Sequence, residues 1–410
     1  MKEEIFQKID SYEDYAVQLQ KKLVSIPALA PENGGDGEYE KALFLEKELK
    51  KLKFDSIEWI NVPQKEAKNG MRPNLVARYK GKRNFKTLWI MAHMDIVPPG
   101  ELSLWNSNPY ELKIEERKLI ARGAEDNHQA IIAAFLMFRA MMESGFRADF
   151  DISLLLCADE ETGSGYGADY IAEKRSEIFG KDDMFLVPDS GTEDGSKIEV
   201  AEKSILWLKI TTRGKQCHAS RPSLGINAFR AGSDLVVRLK KLYEFFPEKN
   251  ELFEPPISTF EPTKKEHNVP NVNTIPGEDV FYLDCRILPC YAINDVKEKI
   301  SQISKEIEET YSVKINFCPV QEAQAAPPTD PDSPVIKALK KAIKEVYKVE
   351  PRVYGIGGGT VAAFFRRLNL PVAVYAKLNE TAHQPNEFCI LDNILGDAKI
   401  FATTALNLDR

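Results

Sequence analysis

Histidines and carboxylates stand beside apolar, strand-like runs and glycine-rich loops in this sequence, and both residue types bind divalent metal ions. The sequence contains only five histidines, and two of them belong to this set. The members of the set are His93, Asp95, Asp126, Glu160, Glu161, Asp189 and His383. Imidazoles and carboxylates together suit Zn²⁺, with Co²⁺ or Mn²⁺ as alternatives. A set of this size predicts a site in which two metal ions activate water for hydrolysis.

The spacing of these residues suggests different roles within the set. Two adjacent metal ions need one carboxylate that bridges them. Asp95 lies two residues after His93 and is placed to hold the second nitrogen of that imidazole. The adjacent Glu160 and Glu161 cannot easily do the same job, so one can bind metal while the other takes a proton from water. A single carboxylate is most often an exposed charge, and it is the position of the whole set that favours a site.

The elements that must position these residues belong to an α/β fold. Apolar runs predict strands at 75–79, 87–92, 151–158, 184–187 and 371–377. Helical periodicity predicts helices at 12–25, 37–53 and 128–143. The alternation of strands and helices predicts a mostly parallel sheet with helices on both faces. Ligands bind beyond the carboxyl ends of such strands, and these ends are the expected positions of His93, Glu160, Glu161, Asp189 and His383.

A central segment of the chain follows a different pattern. The order of its predicted elements is β-α-β-β-α-β, which is the order of a ferredoxin-like module. These elements lie at 205–212, 227–246, 257–260, 279–287, 293–311 and 313–320. A proline-rich stretch after residue 320 predicts the linker that returns to the first domain. The sequence therefore predicts a catalytic metal-binding domain formed by 1–203 and 321–410, with a domain inserted at 204–320.

Charge and composition narrow the possible partners. The 410 residues carry a formal net charge of −7, which argues against a nucleic-acid or anionic-membrane partner, since both need a basic face. No run approaches the roughly 18 apolar residues that span a membrane, and the charged first segment predicts no signal peptide. The six cysteines are scattered, as is typical of the reducing cytoplasm, where we expect this protein.

Ten short stretches of the sequence carry a family resemblance. They are MAHMDIVPPG (91–100), Trp105 with Asn108-Pro109-Tyr110, LIARGAEDN (119–127), ADEETGSGYG (158–167), VPDSG (187–191), GKQCHASRP (214–222), NVNTIPG (271–277), DCRILP (284–289), GIGGGT (355–360) and TAHQPNE (381–387). In this order they resemble the M20 family of dinuclear zinc peptidases and amidohydrolases. The family includes carboxypeptidases, dipeptidases, aminoacylases, acetylornithine deacetylases and succinyl-diaminopimelate desuccinylases. The resemblance implies a zinc-exopeptidase-like catalytic domain with an inserted ferredoxin-like α+β domain for lid closure and dimerisation.

The resemblance assigns a role to each predicted metal ligand. It implies that Asp126 bridges two divalent ions, most simply two Zn²⁺. His93 and Asp189 would complete one metal site. Glu161 and His383 would complete the other. The peptide bond after Asp126 is cis in the family, and the resemblance implies the same here.

The resemblance also implies catalytic and substrate-binding groups. Glu160 would be the general base, and Asp95 would orient the neighbouring metal-binding histidine. His218 matches the family's transition-state histidine, which in dimeric members reaches into the site of the partner subunit. Asn273 and Arg286 match positions that contact the substrate, Arg286 through the substrate's carboxylate. By the same resemblance we expect a homodimer formed through the inserted domain.

A glycine run adds one more candidate for substrate binding. The loop 357–359 precedes a helix predicted near Thr360, so the backbone N–H groups around Gly358 could receive a carboxylate. Simpler interpretations stay open for three of these features. His218 could be an ordinary exposed histidine, Arg286 could form a local ion pair, and the glycine run could be a plain turn.

One departure from the family pattern lies beside the predicted bridging residue. Many members carry Met-Lys-Gly after the aspartate, whereas this chain has Asn127-His128-Gln129. We interpret His128 as a residue that begins a helix, because the ligand set is already complete without it.

These features together predict metal-dependent hydrolysis of an amide bond in small peptides, by an exopeptidase of the carboxypeptidase or dipeptidase type. A deacylase of N-acyl amino acids, like acetylornithine deacetylase or succinyl-diaminopimelate desuccinylase, is the alternative, since a leaving residue with a free carboxylate suits both. A non-catalytic descendant that only binds a ligand is the remote alternative, because all five ligands and the base are present.

Overall fold

A computed structural model of the protein describes residues 1–408. Its strands are β1 Ser56–Pro63, β2 Met71–Tyr79, β3 Thr87–His93, β4 Lys113–Glu115, β5 Lys118–Ile120, β6 Asp151–Cys157, β7 Met184–Gly191, β8 Lys197–Glu202, β9 Ser204–Arg213, β10 Cys217–His218, β11 Thr259–Lys265, β12 Thr274–Ile275, β13 Glu278–Ile287, β14 Lys314–Ala323, β15 Arg352–Ile356, β16 Val372–Ala376 and β17 Phe388–Ile390. Its α-helices are α1 Lys2–Asp10, α2 Glu13–Val24, α3 Tyr39–Leu52, α4 Gln129–Glu143, α5 Ala168–Lys174, α6 Ala228–Leu239, α7 Leu242–Phe245, α8 Ile293–Tyr311, α9 Pro334–Val346, α10 Ala362–Arg367 and α11 Leu391–Leu408.

Contacts between residues group the chain into two compact units. The first unit comprises residues 1–200, 329–354 and those from Val361 onward, and the second comprises 201–328 and 355–360. The sequence analysis predicted functional domains, with boundaries at 203/204 and 320/321. These domain boundaries stay a prediction. Within residues 1–408, no helix is both long and apolar enough to cross a membrane.

The first unit is built on an eight-stranded sheet with the order β1-β2-β6-β3-β7-β16-β8-β15. Its centre is parallel, because β3 pairs in parallel with β6 and β7, and β7 pairs in parallel with β16. Its flanks are antiparallel at β1–β2, β2–β6 and β16–β8. The α/β fold class is confirmed, but the expected mostly parallel sheet is wrong for these flanks. The connection between β1 and β2 is too short for the crossover that parallel pairing needs.

The central strands are buried along their whole length. Every residue of β3 and of β6 is buried, as their continuous apolar runs indicate. Helix α4 buries nearly all of its side chains and packs against both β3 and α11. A separate cluster stacks Phe365 of α10 on Phe185 of β7 at 4.2 Å between ring centroids. This packing leaves the carboxyl ends of the parallel strands as rigid points of attachment for loops.

The second unit contains a four-stranded antiparallel sheet with the order β11-β13-β9-β14. Helices α6 and α8 contribute Leu235, Leu239, Ile300 and Ile303 to the core that this sheet forms. The chain order is β-α-β-β-α-β once the two-residue strands β10 and β12 and the short α7 are set aside, so the ferredoxin-like module is confirmed. The single helix predicted at 227–246 is in fact two helices, α6 and α7.

Candidate metal centre

The central strands end where the predicted metal ligands lie. Strand β3 ends at His93, which pairs in parallel register with Cys157 at the end of β6. A tight turn, Glu160–Thr162, follows β6 and carries two of the predicted acids. Asp189 lies in the last part of β7, and His383 lies in the loop after β16. All of these residues belong to the first unit.

Asp126 lies between two imidazoles. Its Oδ1 is 2.8 Å from Nε2 of His93, and its Oδ2 is 3.2 Å from Nε2 of His383. The same nitrogen of His383 is 3.1 Å from Oε2 of Glu161, and Nε2 of His93 is 3.4 Å from Oδ1 of Asp189. Each imidazole nitrogen therefore faces two carboxylates, and one carboxylate is common to both.

The charges at this point favour a cation. Burial lowers the pKa of His93, but hydrogen bonds to Asp126 and other carboxylates outweigh burial and raise it well above the usual value. Hydrogen bonds to Asp126 and then Glu161 raise the pKa of His383 to about 10. Burial would raise the pKa of Asp126, yet the hydrogen bonds from the two imidazoles hold it below its usual value. The carboxylates thus attract positive charge to the positions of both Nε2 atoms.

The donor set fits two adjacent divalent ions. Among residues 1–408, no lysine or arginine forms an ion pair with Asp126, Glu160, Glu161 or Asp189. Four buried or half-buried carboxylates without a basic partner are costly unless cations bind among them. Two groups of three potential ligands, each within 4.8 Å, share His93, and they are completed by Asp126 with Glu161 and by Glu160 with Asp189. Imidazole nitrogen and carboxylate oxygen are the ligands of Zn²⁺, Co²⁺ and Mn²⁺.

A carboxylate that is not a predicted ligand fixes the backbone that carries Asp126. Both oxygens of Glu387 accept hydrogen bonds, from Nη1 of Arg122 at 2.6 Å and from the backbone N–H groups of Gly123, Glu125 and Asp126 at 3.1, 2.9 and 3.0 Å. The Glu387 and Arg122 side chains are each only 1% exposed. Buried hydrogen bonds to a charged group are strong, so this arrangement holds the loop in one conformation.

The peptide bond between Asp126 and Asn127 is cis, as the family resemblance implied. Nδ2 of Asn127 donates hydrogen bonds to Oδ1 of Asp189 at 2.8 Å and to the carbonyl of Pro188 at 2.9 Å. The residue after Asp126 therefore orients a second predicted ligand.

Asp95 supports the site from behind. Its backbone carbonyl is 3.1 Å from Nδ1 of His93, whereas its carboxylate is 3.4 Å from the same nitrogen. The carboxylate accepts the backbone N–H groups of Glu160 and Glu161 at 3.1 and 3.0 Å. The carbonyl and the carboxylate of Asp95 thus both lie beside the imidazole, and the carboxylate also fixes the turn that carries both glutamates.

Glu160 differs from its neighbours because no side chain or backbone group within residues 1–408 donates a hydrogen bond to its carboxylate. Burial, followed by the nearby charge of Asp189, raises the pKa of Glu160 well above its usual value. A carboxylate with a raised pKa binds a proton more readily than an exposed one, which suits a group that takes up and releases protons as a general base and acid.

The model of the family Peptidase M20/M25/M40 matches residues 89–407. This chain belongs to the M20 family. An uncharacterised metallohydrolase of Methanocaldococcus jannaschii is 40% identical over 94% of this chain and 97% of its own length. A succinyl-diaminopimelate desuccinylase of Wolbachia pipientis is 27% identical over 92% of this chain and 89% of its own. The crystal structure of aminopeptidase PepT from Bacillus cereus shares the fold, with a TM-score of 0.77, 17% identity and coverage of 97% and 99%.

Membership of the M20 family makes this chain a metallohydrolase, so a purely ligand-binding descendant is set aside. His128, the departure from the family pattern, lies directly before α4 and in neither group of potential ligands. Its Nε2 is 2.8 Å from Nζ of Lys41, and both side chains are completely buried. Burial lowers the pKa of Lys41 to about 7 and holds that of His128 well below its usual value. His128 is therefore paired with Lys41 in the core rather than with the predicted metal ligands.

Two of the residues predicted to act on substrate in this M20 chain lie on one ribbon of the second unit. Strand β10 places His218 opposite Thr274 of β12. Nδ1 of His218 accepts the backbone N–H of Ser220 at 3.1 Å, so the proton of the neutral ring lies on Nε2. Asn273 accepts the N–H of Ala219 through its carbonyl at 2.8 Å, and both predicted residues are exposed.

The other two substrate candidates also lie together in the second unit. Arg286 forms a bidentate ion pair with Asp284 at 2.7 and 3.1 Å and donates to the carbonyl of Gly357 at 2.9 Å. The local ion pair that the sequence left open is therefore present. A Cβ added to Gly358 would meet no atom within 4 Å apart from its chain neighbours, so the space beside this residue is open. The backbone N–H of Thr360 is one of the groups around Gly358 that were expected to bind a substrate carboxylate. In the structure it donates to Glu202 at 3.0 Å.

Sequence reasoning missed the two buried acids that support the ligand loops. Glu387 and Glu125 stand inside stretches that carry the M20 resemblance, TAHQPNE and LIARGAEDN. Membership of those stretches was the available signal. Their partners are more than 250 residues away in the chain, so local spacing could not assign them a function.

We expect His93→Asn to lower the divalent-metal content of the purified protein, because both groups of potential ligands include His93. The wild-type protein should gain about 2.7 kcal/mol of stability when free Zn²⁺ is 100 times its dissociation constant, and the variant should gain much less. Metal analysis after gel filtration and thermal unfolding with and without a chelator measure both effects. His267→Asn, which alters an exposed histidine of the second unit, is the matched control. Wild-type metal content in His93→Asn would contradict the assignment.

Proposed function

We propose that this M20 metallohydrolase binds two Zn²⁺ ions and hydrolyses an amide bond in small peptides as an exopeptidase of the carboxypeptidase or dipeptidase type. The observation that carries the proposal is the position of Asp126, with one oxygen toward each of two imidazoles. A carboxylate in this position is suited to bridge two ions. Each imidazole then has one further acid beside it, from Asp189 or from Glu161.

The groups of the protein divide the work of the reaction. When bound, the two ions would supply Lewis-acid activation of water and of the scissile carbonyl. The Glu160 carboxylate takes a proton from the attacking water and passes it to the leaving nitrogen. Nε2 of His218 donates a hydrogen bond to the carbonyl oxygen as negative charge develops there, in its own site or in the site of a partner subunit. Hydrogen bonds to Asp95 hold His93 and the glutamate turn in fixed positions during the reaction.

The second candidate is a deacylase of N-acyl amino acids. The desuccinylases among the relatives, at 26–27% identity over most of the chain, favour it. Arg286 and Asn273 suit the free carboxylate of an amino acid in either reaction. The proposal of peptides rests on the absence of a dedicated acyl-binding pattern in the stretches that carry the resemblance.

Hydrolysis of a mixed panel separates the two candidates. The panel contains dipeptides, longer peptides, and N-acetyl and N-succinyl amino acids, each assayed with Zn²⁺, Co²⁺ or Mn²⁺ and with a chelator. We expect chelator-sensitive release of a terminal residue from peptides. Turnover confined to acyl amino acids would transfer the protein to the deacylase class and leave the metal site unchanged.

Glu160→Gln should bind both metal ions but lose turnover by about 10²–10⁴-fold, because an amide cannot accept the proton of the attacking water. Metal content and initial rates on the best substrate of the panel measure the two effects separately. Glu173→Gln, at an exposed position of the same unit, should keep full activity. Activity of Glu160→Gln close to wild type would remove the residue from the mechanism.

We propose a homodimer formed through the second unit, and a cytoplasmic location that the six free cysteines support. Sedimentation velocity should show one species of twice the mass of the chain. If His218 acts in the partner's site, mixing inactive His218→Ala with inactive Glu160→Gln should restore part of the activity. A monomer with full activity would contradict both the dimer and that role of His218.

A further inference from the structure

Glu125 is a buried acid that the proposed reaction does not use. It directly precedes Asp126, and only 2% of its surface is exposed. Its carboxylate does not point into either group of potential metal ligands. It points to the loop that follows β16 and carries His383.

Four donors of that loop converge on the Glu125 carboxylate. The backbone N–H of Asn379 donates to Oε1. The N–H of Thr381 donates to Oε2 at 2.5 Å, its hydroxyl is 2.8 Å from the same oxygen, and the N–H of Ala382 is 3.1 Å from it. Three of the four contacts come from backbone N–H groups, which can only donate. Burial raises the pKa of the Glu125 carboxyl, and these hydrogen bonds oppose that rise. Hydrogen bonds to a charged acceptor are about twice as strong as neutral ones.

The loop needs such support because the side chain of His383 makes few contacts of its own. It is 56% exposed, and within residues 1–408 its imidazole pairs only with Asp126 and Glu161, two other predicted ligands. Its φ is 64°, in the left-handed region that residues other than glycine seldom adopt. A residue in that region persists when its surroundings fix it, and the three residues before His383 include two whose N–H groups end on Glu125.

Two buried acids hold the loop of His383 at different points. The Glu125 side chain accepts the N–H groups of residues just before His383. Glu387, which follows His383 in the same loop, accepts the backbone N–H groups of Asp126 and of Glu125 itself and so joins the end of the loop to the predicted bridging aspartate. Asp189 and His93 are held by other groups, Asn127 and Asp95. Loss of the Glu125 carboxylate would therefore release the start of the loop and loosen His383, while the hydrogen bonds of Glu387, Asn127 and Asp95 stay in place.

We propose that Glu125 is a positioning residue that fixes His383 against Asp126 and so sets the affinity of the metal position formed by Glu161 and His383. The inference rests on the proposed two-metal site. It adds that the metal affinity of one position depends on Glu125 more strongly than that of the other. Supporting residues of metal sites typically change metal affinity by about 10–100-fold when they are removed.

The test compares Glu125→Gln with Glu380→Gln, which alters an exposed glutamate of the same loop. Metal-free full-length protein is titrated with Zn²⁺ against a chromophoric chelator, and both dissociation constants are extracted. In Glu125→Gln we expect one constant to rise about 10–100-fold and the other to change by less than about threefold, within the context dependence of such effects. Glu380→Gln should match the wild type.

A milder pair guards against a variant that fails to fold. Thr381→Val removes the hydroxyl that contacts Glu125 and the backbone of Phe388, whereas Thr381→Ser keeps all of these hydrogen bonds. We expect Thr381→Val to weaken the same metal position by a smaller factor than Glu125→Gln, and Thr381→Ser to restore the wild-type value.

Hydrogen exchange of the metal-free protein supplies a readout that needs no ion. Glu125→Gln should speed exchange of the backbone N–H groups of Asn379, Thr381 and Ala382 and leave that of Asp126 unchanged. The proposal is wrong if both dissociation constants of Glu125→Gln equal those of the wild type. It is also wrong if both metal positions lose affinity equally while hydrogen exchange in the loop is unchanged. A wild-type chain that takes up no ion would instead defeat the two-metal function, and the exchange result would still decide whether Glu125 holds the loop.

Discussion

Four carboxylates meet at the carboxyl edge of the sheet, and no lysine or arginine among residues 1–408 forms an ion pair with them. Their mutual repulsion and the cost of their burial oppose the fold, because a buried charge without a partner is destabilising. Two imidazoles offset part of this cost when they are protonated, and divalent cations can offset more. The rest of the first unit can be understood as the framework that keeps these groups together. Rigid central strands supply fixed points, and short loops bring the acids toward one another.

Three acids that are not predicted metal ligands hold the loops of the metal centre in place. Asp95, Glu125 and Glu387 each accept backbone N–H groups from a loop that carries a predicted ligand. Each of these carboxylates accepts hydrogen bonds from backbone N–H groups, and none of the three belongs to the two groups of potential metal ligands. The centre therefore has an inner layer of acids that face cations and an outer layer of acids that face peptide N–H groups. The outer layer lets the loops adopt irregular backbone without leaving buried polar groups unpaired.

Strands and ligand positions that depend on the local sequence pattern could be predicted from the sequence. The continuous apolar runs of β3 and β6 located the central strands, and the acids and histidines after such strands located the ligands. Strand β1 escaped prediction because its side chains are mostly exposed or half-buried, and β8 because Glu199 and Glu202 interrupt its apolar pattern although both are buried. Helix α11 was missed because it buries Asp397, whose carboxylate accepts hydrogen bonds from Gln129 and Tyr347 in distant segments. The functions of Glu125 and Glu387 were beyond sequence reasoning for the same reason, since their partners are fixed only by the fold.

Strand β16 has a consequence for the order in which the metal centre forms. It lies in the middle of the sheet between β7 and β8, and its Val374 pairs with Val187 of β7, a residue far away in the chain. Pairing of such distant segments is slow, because closing a long loop costs entropy before the contacts form. The loop with His383 directly follows β16 and can reach Asp126 only once this strand is in place. The full set of predicted ligands therefore assembles late in folding, after the central strands that position His93 and the glutamate turn.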